Sequence, residues 1–196
     1  MNIGIYIYDQ AEVLDFSGPF EVFSTASRVC SGGRPFEVFL IAEKPDAVTA
    51  RAGYCVRPEF SIQNHPALDV LVVAGGDHTE EMRKLPVLNW VRDQAAKIEL
   101  LASVCTGAFI LAAAGLLDGK KVTTHWEDID DLRTQFPHLD VVENVRWVEQ
   151  GNLFTSAGIS AGIDMCLHIV SQLENSELAE KTARQMDYRW IKNPDI

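Results

Sequence analysis

A chain of 196 residues with 47% hydrophobic and 23% charged content can bury a substantial core within one domain, and its composition excludes disorder. Its 17 Lys and Arg against 28 Asp and Glu leave a net charge of −11, which argues against nucleic acid or an anionic membrane surface as a direct partner. No apolar run approaches the length of a membrane span, and the N-terminus lacks a signal peptide's basic start and cleavage site, so the expected location is cytoplasmic. The four cysteines, Cys30, Cys55, Cys105 and Cys166, form no CxxC pair, so neither a zinc site nor a disulfide framework is expected.

The first strand is predicted over Asn2–Tyr8, rich in Ile and Tyr. A loop, 9–19, then enters a helix that runs from about Pro19 to Val29 and stops at Ser31-Gly32-Gly33. Phe36–Ala42 reads as a second strand and 46–56 as a hairpin around Gly53. The buried strand Asp69–Val73 runs into the turn Ala74-Gly75-Gly76-Asp77, and helices follow over 80–84 and 87–97, split by Pro86. Next comes the apolar run 98–104, then Cys105, then an Ala- and Leu-rich helix. A strand over 121–124 ends at His125 and Trp126, before the acidic segment 127–132. Segments 141–148 and 153–155 flank Gly151-Asn152 as a hairpin, and helices close the chain over 161–173 and 176–186. Alternation of strands and helices argues for one doubly wound α/β domain with a mostly parallel sheet, in which ligands bind beyond the carboxyl ends of the strands.

Cys105 stands where the apolar strand meets the helix, and Thr106-Gly107-Ala108 leave room for a sharp turn. That is the layout of a nucleophile elbow, and the helix N-terminus beyond it would favour a thiolate; the plainer alternative is a buried structural cysteine. Asp15, in the apolar setting Val13-Leu14-Asp15-Phe16, is a candidate proton donor whose pKa burial or a nearby thiolate would raise, or else a helix cap. Glu21 is a second carboxylate six residues on. Gly75 and Gly76 would offer backbone N–H groups as an oxyanion hole, or simply make a turn. Thr106 would give a hydroxyl and an N–H beside the sulfur, or cap the helix. His125 would line the pocket as a base or donor, or be a satisfied histidine. No GxGxxG, Walker or HExxH pattern occurs, so no cofactor or metal is expected.

The elbow Ala102-Ser103-Val104-Cys105-Thr106-Gly107-Ala108 resembles the ThiJ/PfpI, glutamine-amidotransferase-like superfamily. So do the stretch Leu14-Asp15-Phe16-Ser17-Gly18-Pro19-Phe20-Glu21, the Gly75-Gly76 turn, Val122–Trp126 and Thr155–Asp164. The nearest branches are the isonitrile hydratases and the sensor domains of AraC-type regulators. The resemblance implies a flavodoxin-like α/β sandwich and a homodimer. It makes Cys105 the nucleophile, Asp15 its hydrogen-bonding carboxylate and Glu21 a second acidic position. Gly75 and Gly76 fall on the backbone donors, Thr106 on the hydratase residue after the cysteine, and His125 on a nearby histidine. Protease-like members carry His where this chain has Thr106, which argues against a Cys-His peptidase dyad. Glyoxalase-type members commonly carry Glu where this chain has Asp15. The regulators continue into a DNA-binding domain of about 100 residues, beyond the point where this sequence stops. The expected function is an isonitrile hydratase-like lyase acting on a small molecule. The alternatives are a stand-alone ligand or redox sensor and, less favoured, a glyoxalase-like enzyme.

Overall fold

A computed structural model describes residues 1–193 of the chain. Its centre is a stack of apolar strands. β1 (Asn2–Tyr6), β6 (Val70–Val73) and β7 (Leu100–Val104) have almost every side chain buried, as parallel strands covered on both faces require. Between β1 and β6 come β2 (Glu37–Ala42), β3 (Val48–Thr49), β4 (Cys55–Val56) and β5 (Phe60–Ser61); after β7 come β8 (Lys121–Val122), β9 (Asp140–Val141), β10 (Trp147–Gln150) and β11 (Leu153–Ser156). Seven of them form one sheet in the order β10-β11-β7-β6-β1-β2-β5. All its pairings are parallel except the β10–β11 hairpin.

The helices are α1 (Val13–Val29), α2 (Leu85–Ala95), α3 (Gly107–Ala113), α4 (Ile129–Gln135), α5 (Ala161–Leu173) and α6 (Ser176–Gln185). α1, α5 and α6 pack together in one layer, and α2 packs against α3 in the other. This is a flavodoxin-like α/β fold with helices on both faces of the sheet. At Gly18 in α1 an added Cβ would stand 2.9 Å from Ile163, so that glycine sets how closely α1 approaches α5.

Three predicted boundaries shift. α1 begins at Val13, six residues before the expected start, and absorbs half of the expected loop. Pro19 therefore lies inside the helix, where it has no N–H to give the Asp15 carbonyl. The segment 80–84, predicted as a helix, is a single 3₁₀ turn over Glu81–Arg83, and the acidic segment is a 3₁₀ turn at Trp126–Asp128 running into α4. Val141, predicted to open the hairpin, pairs instead in the separate parallel β8–β9 ribbon. Among the described residues no helix is long and apolar enough to cross a membrane.

Candidate active site

Every side chain of β7 is buried, so the strand must leave the sheet by a tight turn as soon as it reaches the sheet's edge. It does so at Cys105, which takes a left-handed φ of 55° that non-glycine residues seldom adopt. The turn is held from three sides. Cys105 N–H donates to Ser156 O of β11 (3.2 Å), and the Thr124 hydroxyl donates to Cys105 O (2.9 Å). At Gly107 a Cβ would fall 2.3 Å from Val73 O, so only glycine lets α3 start this close to β6. Cys105 thus stands on a tight turn between β7 and α3 and lines a cleft, with 6% of its surface exposed.

Asp15 reaches the same point from α1. It occupies the third position of the helix and is fully buried, with Glu12 in the N-cap position, so it caps nothing. Its Oδ2 accepts from Gly75 N–H (3.1 Å), while Oδ1 has no hydrogen-bond partner among the described residues. A Cβ added at Gly75 would come 2.7 Å from Asp15 Oδ2 and 2.8 Å from Cys105 Cβ, so carboxylate and cysteine flank one glycine. Burial pushes the Asp15 carboxyl up to about 7, helped by the charge of Glu12 and opposed by the Cys105 thiol and the Gly75 N–H.

The thiol departs from the expectation set by the helix N-terminus. Burial and the charge of Asp15 push it well above the ordinary range. The backbone N–H groups of Thr106 and Ile159 pull the other way and do not compensate. Two negative charges do not fit in so dry a site, and the pair titrates as a unit that holds one.

The Gly75-Gly76 turn is where it was expected, but its amides are already used. Gly75 N–H serves Asp15, and Gly76 N–H donates to the Thr106 hydroxyl (2.8 Å), which in turn donates to Gly76 O (2.8 Å). Thr106 therefore makes no side-chain cap for α3 and locks the two loops together. At Gly76, with φ 138°, a Cβ would strike Gln10 O at 2.4 Å. The amides that favour ionisation of the thiol are instead those of Thr106 and Ile159. Ile159, with a left-handed φ of 52°, is a further residue lining the cleft, within the Thr155–Asp164 stretch.

His125 lines the cleft, with its Nε2 3.6 Å from Glu127 Oε2 and its buried Nδ1 without a partner among the described residues. A Cβ at Gly158 would fall 1.8 Å from that Nδ1, so the glycine creates the room the ring occupies. His78, passed over in the sequence, also lines the cleft; it stacks on Phe109 at 4.1 Å between ring centroids, and burial lowers its pKa. Glu21 does not join the site. Six residues beyond Asp15 it is rotated by about 240° around α1, so it faces solvent, accepts from the Thr25 hydroxyl (2.8 Å) and lies 3.9 Å from Arg28. Among the described residues no group of acidic, His or Cys side chains is placed to hold a metal ion.

The cleft has a volume of about 520 Å³ and sits beyond the carboxyl ends of β1, β6, β7 and β11, where a parallel α/β sheet presents its loops. An isonitrile hydratase from Pseudomonas putida is 35% identical over 189 residues, covering 96% of this chain and 78% of that protein. The HTH-type transcriptional regulator GbdR from Pseudomonas aeruginosa is 28% identical over 192 residues, covering 98% of this chain; the chain spans 52% of the regulator's length. The crystal structure of a ThiJ/PfpI family protein from Pseudomonas syringae matches with a TM-score of 0.85 and 31% identity, covering all of this chain and 76% of that one. The family model for DJ-1/PfpI proteins matches residues 1–172, and with the sheet order it fixes the assignment: the chain belongs to the DJ-1/PfpI family.

Proposed function

We propose that this protein is a cysteine-dependent enzyme that hydrates an isonitrile to an N-substituted formamide. The observation that carries the reading is the pairing of Cys105, held at a strained elbow, with the fully buried Asp15. The 35% identity to an isonitrile hydratase supplies the substrate class.

In the step this geometry supports, the Asp15 carboxylate takes the thiol proton as sulfur attacks the terminal isonitrile carbon. Asp15 then gives that proton to the same carbon, leaving a thioimidate in which carbon bears one hydrogen, sulfur and doubly bonded nitrogen. Water adds across the C=N bond, a proton reaching nitrogen. Collapse of the adduct breaks the C–S bond, returns a proton to sulfur and releases the formamide. A carboxyl group with a pKa near 7 is suited to both halves of that shuttle. The Thr106 and Ile159 amides stabilise the sulfur while it is anionic. His125 and His78 line the remaining wall as hydrogen-bonding groups for the substrate nitrogen or the attacking water.

The deciding assay follows formamide from an aryl isonitrile with wild-type protein beside Cys105→Ala. Loss of about a thousandfold or more in the variant is expected, and turnover that survives it rejects the mechanism. A second reading, a small-molecule sensor, is favoured by the match of 98% of this chain to a transcriptional regulator. It requires saturable ligand binding without turnover. Its redox form and the glyoxalase-like alternative both need a readily ionised thiol, which the burial of Cys105 opposes. The proposed working form is a cytoplasmic homodimer acting on a small molecule, and sedimentation equilibrium tests the assembly.

A further inference from the structure

A second cavity, of about 260 Å³, is built on the residues that flank His125. Thr124 and Trp126 line it, His125 between them lines the cleft, and the two cavities share no lining residue. Its walls are mostly apolar, with Ile129, Val145 and Ala157 beside the Trp126 indole. Two groups in the lining are unused by the fold. Thr123 is fully buried, yet its hydroxyl has no hydrogen-bond partner among the described residues. Its main-chain N–H is satisfied separately, by Thr155 Oγ1 at 2.9 Å. A buried hydroxyl without a partner costs stability, and the fold gains nothing from this one in return. Trp126 is the second such group. It is 74% exposed, more than any other large apolar side chain among the described residues. Glu143 is the only ionisable residue in the lining, and Arg133 stands 3.9 Å from it.

We propose that this cavity binds a small uncharged aromatic molecule that carries a hydrogen-bond acceptor, such as an aryl ketone or aryl amide. The ring lies against Trp126 and covers apolar surface that is otherwise open to water. The acceptor takes the proton of the Thr123 hydroxyl, which supplies the partner that the fold leaves out. With Glu143 already facing Arg133, the walls offer no free charge, so an ionic ligand would lose its hydration without compensation. Apolar walls with one placed polar group are the usual makeup of a small-molecule site. The proposal is independent of the reaction at Cys105. The site is nonetheless tied to that residue, because Thr124, in its wall, donates its hydroxyl to Cys105 O at 2.9 Å.

Acetophenone and isopropylbenzene are the probes. They match in shape, and only the first carries an acceptor. Binding is followed by proton–nitrogen correlation spectra of the whole protein, which also locate it. Acetophenone is expected to give saturable shifts of the Thr124, Trp126 and Val145 amides. Thr123→Val is expected to weaken acetophenone about fivefold, while isopropylbenzene binds the variant as well as wild type or better, so the difference isolates the hydroxyl. Because the Thr123 hydroxyl bonds nothing within the fold, the variant should unfold no earlier than wild type on heating. Shifts confined to the cleft amides of Gly76, Thr106 and Ile159 overturn the proposal. So does a lack of saturable binding up to the probe's solubility, or an equal effect of Thr123→Val on both probes. Should that variant not fold, Trp126→Ala keeps the test decisive: it is expected to weaken both probes, and unchanged affinities overturn the proposal.

Discussion

In the proposed mechanism Asp15 bears on both stability and chemistry. Its folded pKa, about 7, lies above the value near 4 that holds in the unfolded chain. The folded protein therefore binds more protons between those pH values. The stability this contributes is complete below about pH 4 and is lost as pH rises through 7. Asp15→Asn removes that loss, so the variant is expected to exceed wild type by on the order of 2–4 kcal/mol at pH 8 and to match it near pH 4; denaturant titrations at the two pH values check this. The same substitution should cut kcat/KM by about a hundredfold or more. In wild type kcat/KM should rise with pH to a plateau with a midpoint near 7, as the pair acquires its single negative charge, and a flat profile from pH 5 to 9 would exclude the shuttle. At this scale the meeting of Cys105 and Asp15 was legible in the sequence, because a cysteine at a strand-to-helix junction and a lone acid among apolar neighbours are local patterns. Ile159, His78 and the Thr106–Gly76 lock were not. Each acts through a backbone amide, a stacked ring or a loop that only folding brings to the sulfur.

At the scale of elements, the site depends on how closely α3 and the Gly75-Gly76 turn approach the end of β7. Gly107→Ala would set a Cβ against Val73 O, a backbone atom that cannot swing aside. A loss of about 2–4 kcal/mol is expected from overpacking, together with a displaced thiol, measurable by thermal unfolding and by alkylation of Cys105. At Gly158 the obstacle is the His125 ring, a side chain that can rotate. Gly158→Ala is expected to leave stability within about 1 kcal/mol while moving His125 out of the cleft, visible as a change in the chemical shifts of its ring. The central strands were legible because β6 and β7 are unbroken apolar runs. The start of α1 was not, because Gly18 and Pro19 look like breakers. The helix tolerates both by using Gly18 to seat against Ile163 and by leaving the Asp15 carbonyl without a Pro19 donor. Glu21 was misplaced for a related reason. A helix starting at Val13 carries it around to solvent, whereas a loop would have left its direction open.

For the whole molecule, the segment after α6 is fastened back onto the fold by Asp164. This fully buried carboxylate accepts from Arg146 Nε (2.8 Å) and Nη2 and from Ile191 N–H (2.8 Å), while Trp190 Nε1 donates to its main-chain oxygen (3.1 Å). Asp164→Ala leaves a half-buried arginine unpaired and is expected to destabilise the protein by about 3 kcal/mol and to speed proteolysis near Ile191, with hydrogen exchange as the readout. The doubly wound architecture itself followed from the alternation of strands and helices, and the sheet order then brought the loops after β1, β6, β7 and β11 to one cleft. The central claim is that Cys105 forms a covalent bond to the isonitrile carbon. Acid-quenched single turnover with an aryl isonitrile, read by peptide mass, tests it most directly. A transient adduct of the isonitrile's mass is expected on Cys105, accumulating before formamide appears. Formamide released with no adduct at any time, and at an undiminished rate from Cys105→Ala, would contradict it.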